Sequence, residues 1–411
     1  MSKSVMTTRW NRQLVVVLSG ISLLLVYFHR SAIAVLYQEL SDFLHVPVVR
    51  LSKYSSGFFL LYSLIQPFGG IISDEFNPKY LLCIACILFS LCSILTGIVS
   101  NYTVSAILRG LMGLGCGPVY VGANKLVSVL FSKEEYVLIN GVFLGIGFLG
   151  GLLSQAPLAY LVRFVDWKSV YISIGCIGIV IGLLFLAVSV DFEAKHESFI
   201  NKFKVVLTNG QFWLMIIWTF FCSSTYFNFT SFWAGPYIRN VFGVDMKYAS
   251  WAIVMMSIAC IVGSPFFTWL SNKLETRKYI ILFTTISSVI ITAAFCFIRP
   301  GIPTAVLFAI LFFYGLFSGA TISIAAPIYK EMFTLEYTAT AVGCSNFFPF
   351  FSTTILQNLI PFIVSEFDDP TSFNAYRYGL WVPSVIYCSI SLIGVSLVKD
   401  TFKNNFGYDK L

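Results

Sequence analysis

The apolar run at residues 13–37 reads QLVVVLSGISLLLVYFHRSAIAVLY and carries one charged side chain, Arg30. A run of about 20 apolar residues is long enough for an α-helix to cross a bilayer. A cation in hydrocarbon costs at least about 2.5–3.5 kcal/mol, so it is tolerated mainly where it faces a watery cavity, a partner or a bound anion. This stretch therefore predicts a membrane helix whose polar face receives a negatively charged group.

The composition extends this prediction to the whole chain. Its 411 residues are 57% hydrophobic and 11% charged, whereas a soluble domain carries about 25% charged residues. Apolar runs recur along the chain, separated by Gly, Pro and charged residues, and they predict twelve membrane helices. The predicted ranges are 13–37, 53–73, 79–99, 103–131, 136–161, 168–190, 211–238, 247–271, 278–298, 303–329, 337–364 and 375–398.

The longest polar interruption, residues 191–210, divides these helices into two sets of six. We predict an all-α membrane protein with an N-terminal six-helix bundle (1–190), a linker (191–210) and a C-terminal six-helix bundle (211–411). The bundles are also predicted to be repeats, because several residues recur after a shift of 202. The matched pairs include Gly113 with Gly315, Gly117 with Gly319, Phe131 with Phe333, and Gln155 with Gln357. Parallel repeats of this kind place a binding site between the halves near the midplane.

The loop charges predict the orientation. Fifteen Lys and Arg residues fall on the side that holds both termini, and eight fall on the other side. Because cytoplasmic loops carry the excess of Lys and Arg, both termini and the linker are expected in the cytoplasm. We expect a monomer in the inner or plasma membrane.

The three basic residues outside the loops, Arg30, Arg109 and Lys125, are the first site candidates. Arg30 shares a helix face with Tyr27, and an Arg with a neighbouring phenol suits a carboxylate. The alternative is that Arg30 extends to the membrane interface. Arg109 and Lys125 are about 160° apart on a straight helix, so both cannot face one cavity. Unless Gly117 and Pro118 kink that helix, we favour Lys125 as the substrate or gate residue and Arg109 as a tether between helices.

A separate candidate is His29, which could couple transport to a proton because its ordinary pKa lies nearest neutrality.

Neutral polar residues in the later spans complete the predicted substrate site. The substrate-binding candidates are Arg30, Tyr27, Lys125, Arg109, Tyr226, Asn228, Gln155, Tyr314, Asn346 and Gln357.

The loop Gly70-Ile-Ile-Ser-Asp74, followed by Pro78-Lys79, resembles the signature loop of the major facilitator superfamily. The Gly-rich stretch that begins at Arg109 is similar to the family's fourth helix. The resemblance covers nearly the whole chain, and it implies that Asp74, Lys79 and the second-half counterpart Arg277 form a gate. Glu75 and Asn77 depart from the usual basic residue and Gly of this loop.

Within that family the chain resembles two groups of carriers. Arg30, Gly122-Ala-Asn-Lys125-Leu and Gln155-Ala-Pro157-Leu-Ala resemble bacterial phagosomal nutrient transporters, which handle amino acids and nucleosides. Tyr27-Phe-His29-Arg30, with Ser73-Asp74 and Lys125, is similar to organophosphate:phosphate antiporters. Those antiporters place a second Arg on the seventh helix, where this chain has no basic residue before Arg239.

We therefore predict a secondary active transporter that moves a small, carboxylate-bearing solute, an amino acid or organic acid, by alternating access. The sequence has no phosphate-binding Gly-Lys-Ser/Thr loop for a nucleotide. We therefore expect a gradient or an exchanged solute to drive transport, by symport or antiport. The alternatives are an organophosphate/phosphate antiporter and a non-transporting membrane receptor or chaperone. We predict that the protein is not an enzyme, uses no cofactor or metal and binds no nucleic acid. Cys83-x-x-Cys86 stands alone on an apolar helix, which favours a packing role over metal binding.

Overall fold

The structure is a computed structural model that describes residues 9–131, 133–189 and 199–402. Within these ranges it leaves out the side chains of 9, 70, 71, 73–75, 133–138, 140, 141, 144, 199, 200, 326, 335, 336 and 339. The described residues form helices and connecting loops. The helices are α1 (Arg9–Ser31), α2 (Ile33–Leu44), α3 (Val48–Glu75), α4 (Pro78–Ile98), α5 (Tyr102–Leu130), α6 (Lys133–Leu153), α7 (Ala156–Leu161), α8 (Trp167–Leu184), α9 (Phe199–Thr208), α10 (Gly210–Asn228), α11 (Ala234–Phe242), α12 (Met246–Lys273), α13 (Lys278–Phe295), α14 (Thr304–Met332), α15 (Leu335–Val364), α16 (Phe373–Tyr376) and α17 (Val382–Leu397).

These helices confirm the predicted fold class. Each of the twelve predicted ranges coincides with one long helix or with two consecutive helices. Ten helices in the described part of the chain are long and apolar enough to cross a membrane, and a shorter apolar helix runs over Gly145–Leu161. Polar side chains begin several spans by accepting a backbone N–H of the first turn, which satisfies one of the helix's unpaired donors. These N-caps are Asn77, Asn101, Asp166, Asn209 and Asp245.

In the part of the chain that the structure describes, four spans are interrupted inside the apolar region. The first breaks at Ala32 between α1 and α2, and the fifth breaks at Ser154 and Gln155 between α6 and α7. In the second half, π-helical turns at Phe229–Trp233 and Arg377–Trp381 join α10 to α11 and α16 to α17. A π turn is rare and is frequently found at functional sites. The interruptions in the first, fifth and seventh spans border the cavity described below.

The N-terminal bundle (α1–α8) and the C-terminal bundle (α10–α17) meet along α3 and α15, and also where α2 contacts α11. At the second contact, a Cβ built on Gly235 of α11 would lie 2.0 Å from the carbonyl oxygen of Ala34 in α2. Only glycine permits this close approach of the two backbones. We call the side of α2 and α11 the closed side, and the side where α1 begins and α17 ends the terminal side.

The predicted linker is partly helical, because α9 (Phe199–Thr208) occupies its second part. Residues 190–198 lie outside the described residues. The domain boundaries at 190 and 210 therefore stay a prediction.

Candidate substrate-binding cavity

A cavity lies between the two bundles, and Arg30 of α1 lies on its wall. Its wider part has a volume of about 1380 Å³, including space open to solvent, and extends from Arg30 toward the terminal side. Among the described residues that line it, Arg30 is the only charged one. The other polar or aromatic lining residues are Tyr27, Tyr62, Gln66, Tyr120, Phe148, Thr219, Ser223, Phe227, Ser264, Thr321, Ser323, Tyr329, Ser345, Asn346 and Phe350.

A second part of the cavity, which we call the inner chamber, lies on the closed side of Arg30. Its volume is about 530 Å³, including open space. The residues that line it are Tyr27, Arg30, Ser31, Phe59, Phe148, Gly151, Gln155, Tyr226, Phe227, Thr230, Ser231, Ser257 and Ile322. Arg30 therefore lies where the two parts join.

Aromatic rings, and no described carboxylate, surround the Arg30 guanidinium. Its central carbon lies 4.0 Å from the centroid of the Tyr27 ring and 5.5 Å from that of Phe227. The faces of aromatic rings attract a cation while leaving its N–H groups available to other acceptors. Arg30 is half-buried, so its charge is partly removed from water. This arrangement can bind an oxyanion from the cavity.

Arg109 lies away from this cavity, inside the N-terminal bundle. Its side chain is buried, and its Nη2 donates a hydrogen bond of 2.8 Å to the carbonyl of His29. Its guanidinium also lies 4.4 Å from the ring centroid of Phe58. The structure thus places Arg109 as a tether between α5 and α1, because its helical phase turns it toward α1 and α3. Contrary to its selection as a substrate-binding candidate, it does not line either described part of the cavity.

Lys125 and His29 also lie off the described cavity wall. Lys125 is half-buried near the end of α5. His29 is fully buried, and its ring lies 5.3 Å from that of Tyr171 and 6.1 Å from that of Phe89. Neither imidazole nitrogen of His29 has a hydrogen-bond partner among the described residues. The helix turns His29 into the bundle and Arg30 into the cavity.

Gln155 binds the interrupted first span beside Arg30. Its Nε2 donates to the carbonyl of Ser31 at 3.4 Å, and its buried Oε1 has no partner among the described residues. Gln357, the predicted repeat of Gln155, makes a similar contact in the second half. Its Nε2 donates to Ser231 Oγ at 2.9 Å in the π turn of the seventh span.

Of the remaining candidates, two line the cavity and two do not. Tyr226 lines the inner chamber and Asn346 lines the wider part. Asn228 and Tyr314 are buried inside the C-terminal bundle and line neither part. The sequence did not single out Phe227 and Ser231, because their apolar span gives no sign of which face meets the other bundle.

The residues predicted to form a gate lie near the helix ends on the terminal side. The side chain of Asp74 lies outside the described residues. Lys79 Nζ donates to the carbonyl of Val188 at 3.2 Å. Arg277 pairs with Glu331 at 2.7 Å inside the C-terminal bundle.

Asp400 extends the Arg277 network. Its carboxylate accepts hydrogen bonds from the hydroxyl of Thr276 and from the backbone N–H of Arg277. Partial burial raises the pKa of Asp400, but these hydrogen bonds outweigh it, so that pKa lies below its ordinary value. The network joins the α12–α13 loop to the end of α14 and to the segment after α17.

On the closed side, polar contacts connect the two bundles. Arg163 and Asp245 form an ion pair of 2.9 Å. Arg239 Nη1 donates to Gln38 Oε1 at 2.6 Å, and Ser52 Oγ donates to the carbonyl of Gln357 at 2.7 Å. Arg239 is therefore engaged on the closed side and does not face Arg30 across the cavity.

Comparison with known proteins agrees with this architecture. A family profile described as "Major Facilitator Superfamily" matches residues 20–356 and 234–404. The "Probable L-galactonate transporter" of Escherichia coli (strain K12) is 22% identical, over 91% of this chain and 86% of that protein. The "Probable sulfoacetate transporter SauU" of Cupriavidus necator is 20% identical, over 78% of this chain and 80% of that protein.

A similar solved structure is a bacterial homologue of the human lysosomal transporter Spinster, in an inward-facing and occupied conformation. Its TM-score is 0.73 at 14% identity, over 95% of this chain and 96% of that one. At this identity the likeness shows the fold alone.

Proposed function

The chain belongs to the Major Facilitator Superfamily, and from that premise we propose that it is a secondary transporter of a small organic acid whose carboxylate binds Arg30. The observation that carries the proposal is that Arg30 is the only charged residue among the described residues lining the cavity. A planar guanidinium can give two parallel hydrogen bonds to one carboxylate. The aromatic rings beside it exclude water, which strengthens such a pair.

The chemistry of the cavity favours an organic acid over an amino acid. An ammonium group removed from water needs a negative partner or several acceptors close by. Within the described lining the charged group is a cation, which would repel an ammonium next to the bound carboxylate. The names of two relatives, an L-galactonate and a sulfoacetate transporter, refer to organic acids and support the same class.

Within the described lining of the cavity, the organophosphate alternative lacks its second cation. A clamp for phosphate would need another basic side chain opposite Arg30, and Arg239 is bonded to Gln38 on the closed side. Arg109 is bonded to the His29 carbonyl inside the N-terminal bundle. A single guanidinium suits one carboxylate better than a phosphate dianion.

Alternating access is part of the proposal. The contacts between the bundles on the closed side, and the extension of the cavity toward the terminal side, correspond to one end state of such a cycle. The loop charges favour a cytoplasmic terminal side. In that orientation the cavity would open to the cytoplasm, and a gradient or an exchanged solute would drive transport.

Uptake into proteoliposomes tests the proposal. Labelled gluconate, leucine and glucose 6-phosphate are offered to the wild type and to Arg30→Gln, with and without a pH gradient. Lys247→Gln is the matched control, because it removes one positive charge at an exposed site in the first turn of α12.

We expect gluconate to be taken up and Arg30→Gln to reduce its uptake by at least about 30-fold. Losing one partner of a buried charged hydrogen bond costs about 2–5 kcal/mol, and 1.4 kcal/mol is a factor of ten. Lys247→Gln should transport like the wild type. Gluconate uptake by Arg30→Gln at the wild-type rate would refute the proposal, and so would selective uptake of leucine or glucose 6-phosphate.

A further inference from the structure

The inner chamber differs from the wider part of the cavity in where it lies. Four of its polar residues come from the interrupted segments of three spans: Ser31 at the first break, Gln155 at the second, and Thr230 and Ser231 in the π turn. These segments lie toward the closed side, where the bundles touch. A molecule held at Arg30 therefore has the chamber beyond it and the open cavity behind it.

Three hydroxyl groups of the chamber, those of Thr230, Ser231 and Ser257, offer lone pairs because their hydrogens are already used. Thr230 Oγ1 donates to the carbonyl of Tyr226 at 2.9 Å, and Ser257 Oγ donates to that of Ile253 at 3.1 Å. Ser231 Oγ donates to the carbonyl of Asn228 at 3.4 Å. A hydroxyl group has one hydrogen and two lone pairs, so each of these groups can still accept a hydrogen bond. Ser231 has one lone pair left for this, because its Oγ already accepts from Gln357 Nε2.

Gln155 adds a stronger acceptor to the same wall. Its amide nitrogen is engaged by the Ser31 carbonyl, while its Oε1 is buried without a described partner. A buried acceptor left unpaired costs about 1–3 kcal/mol. A ligand that donates a hydrogen bond to this oxygen would remove that cost, and a purely apolar or purely accepting group would not.

Gly151 leaves open space in the wall of the chamber. It lies on α6 four residues before Gln155 and lines the chamber, and a Cβ built there meets no neighbouring atom within 4 Å. The space next to Gly151 is therefore available to a ligand. Gly145, on the same helix, is also free of neighbours within 4 Å, but it is exposed and lies off the chamber.

We propose that the inner chamber holds the tail of the substrate, and that the substrate is a monocarboxylate whose tail carries several hydroxyl groups. This inference rests on the proposed function, because it takes Arg30 as the carboxylate's partner. The tail hydroxyls donate to Gln155 Oε1 and to the chamber's hydroxyl oxygens. A second acidic group in the tail is rejected because, among the described residues that line the chamber, it would meet these lone pairs and no cation besides Arg30. Gly151 sets the length and bulk of the tail.

Equilibrium binding to the purified full-length protein in detergent tests the inference with four acids. Gluconate carries one carboxylate and a hydroxylated six-carbon chain, hexanoate has the same chain length without hydroxyls, and glucarate adds a second carboxylate. Lactate is a three-carbon hydroxy acid with the same carboxylate and a much shorter tail. We expect the wild type to bind gluconate at least tenfold more tightly than hexanoate and glucarate.

Two glycine variants test where the tail lies. Gly151→Val should weaken gluconate binding at least tenfold and leave lactate binding within about twofold, while Gly145→Val should change neither. Gly151→Ala, which adds a single methyl group, gives the same test with a smaller effect if the valine variant does not fold. Equal binding of the three six-carbon acids would overturn the inference. Equal losses of gluconate and lactate in Gly151→Val, or no loss of either, would also overturn it.

Arg30→Gln separates failure of this inference from failure of the proposed function. If that variant loses all four acids while the wild type does not distinguish gluconate, hexanoate and glucarate, the chamber inference is wrong and the carboxylate site stands. If Arg30→Gln binds the acids like the wild type, the proposed function is wrong as well. A wild type that binds none of the four acids would overturn both.

Discussion

At the scale of single residues, three basic residues with similar sequence surroundings lie in different environments. Arg30, Arg109 and Lys125 all interrupt apolar runs, but in the described structure Arg30 alone of the three lines the cavity. Arg109 is buried against the His29 carbonyl, as the helical phase argument allowed. Sequence spacing fixes the angle between two side chains on one helix. It does not fix which angle faces the other bundle, because that depends on how the helices pack.

The tether role of Arg109 gives a prediction about stability. Arg109→Met should lower the free energy of unfolding by about 1–3 kcal/mol, because the buried His29 carbonyl would lose its partner. Arg30→Met, which removes a cavity residue, should unfold close to the wild type. Thermal unfolding in detergent, followed by tryptophan fluorescence, measures both. An Arg109→Met protein with wild-type stability and no substrate binding would place Arg109 in the binding site instead.

At the scale of the helices, the apolar runs and the Gly, Pro and charged residues between them were sufficient to predict the spans but not their interruptions. The twelve predicted ranges coincide with helices, because burial of a long apolar run in a bilayer depends on length and composition. The break at Ala32 has no Gly or Pro beside it. It is accompanied by side-chain contacts from other spans, Arg109 to His29 and Gln155 to Ser31. Tyr27, Arg30, Gln155 and Tyr226, which line the inner chamber, were among the candidates. The rest of its wall could not be predicted, because such tertiary contacts leave no local pattern.

The loop between α12 and α13 gives a prediction at the same scale. Arg277 Nη2 lies 2.7 Å from Glu331 Oε1, and the Arg277 side chain is mostly buried. Removing one partner of a buried pair leaves an uncompensated charge that costs about 3–5 kcal/mol. We expect Arg277→Met and Glu331→Gln each to lower the unfolding temperature clearly. The double variant should lose less than the sum of the two.

A double-mutant cycle on unfolding temperature measures this coupling. Additive effects would show that the two side chains act independently. If Arg277→Met unfolds like the wild type but transports faster or slower, Arg277 acts as a gate residue rather than as a brace within its bundle.

At the scale of the whole molecule, the repeats predicted from the sequence correspond to equivalent contacts. Gln155 and Gln357, separated by 202 residues, each donate an amide hydrogen to an interrupted span, the first and the seventh. The placement of a cavity between two such halves follows from that symmetry. Which side of the cavity is closed does not follow from it. That choice depends on the balance between contacts such as Gly235 with Ala34 and those on the terminal side.

The close packing of Gly235 gives a prediction about this balance. In Gly235→Ala the added Cβ would lie 2.0 Å from the Ala34 carbonyl oxygen, so the bundles must separate on the closed side. Ser52 is fully buried there, and a cysteine at that position would react with maleimide only when the bundles part. The experiment uses a Cys176→Ser background, because the other native cysteines are buried. In that background we expect maleimide to react faster with the cysteine of Ser52→Cys when Gly235→Ala is also present.

Gly145→Ala is the matched control for this labelling, because it adds the same methyl group at an exposed position without neighbours. It should label at the wild-type rate. Equal labelling rates in Gly235→Ala and Gly145→Ala would contradict a closed side held by the approach of α2 and α11.

The most direct measurement is an experimental structure of the protein with the acid that it transports. We predict both carboxylate oxygens within hydrogen-bonding distance of the Arg30 guanidinium, with the rest of the molecule directed toward Gly151 and Gln155. A carboxylate bound at Lys125 or Arg109, with Arg30 turned away from the ligand, would contradict the account.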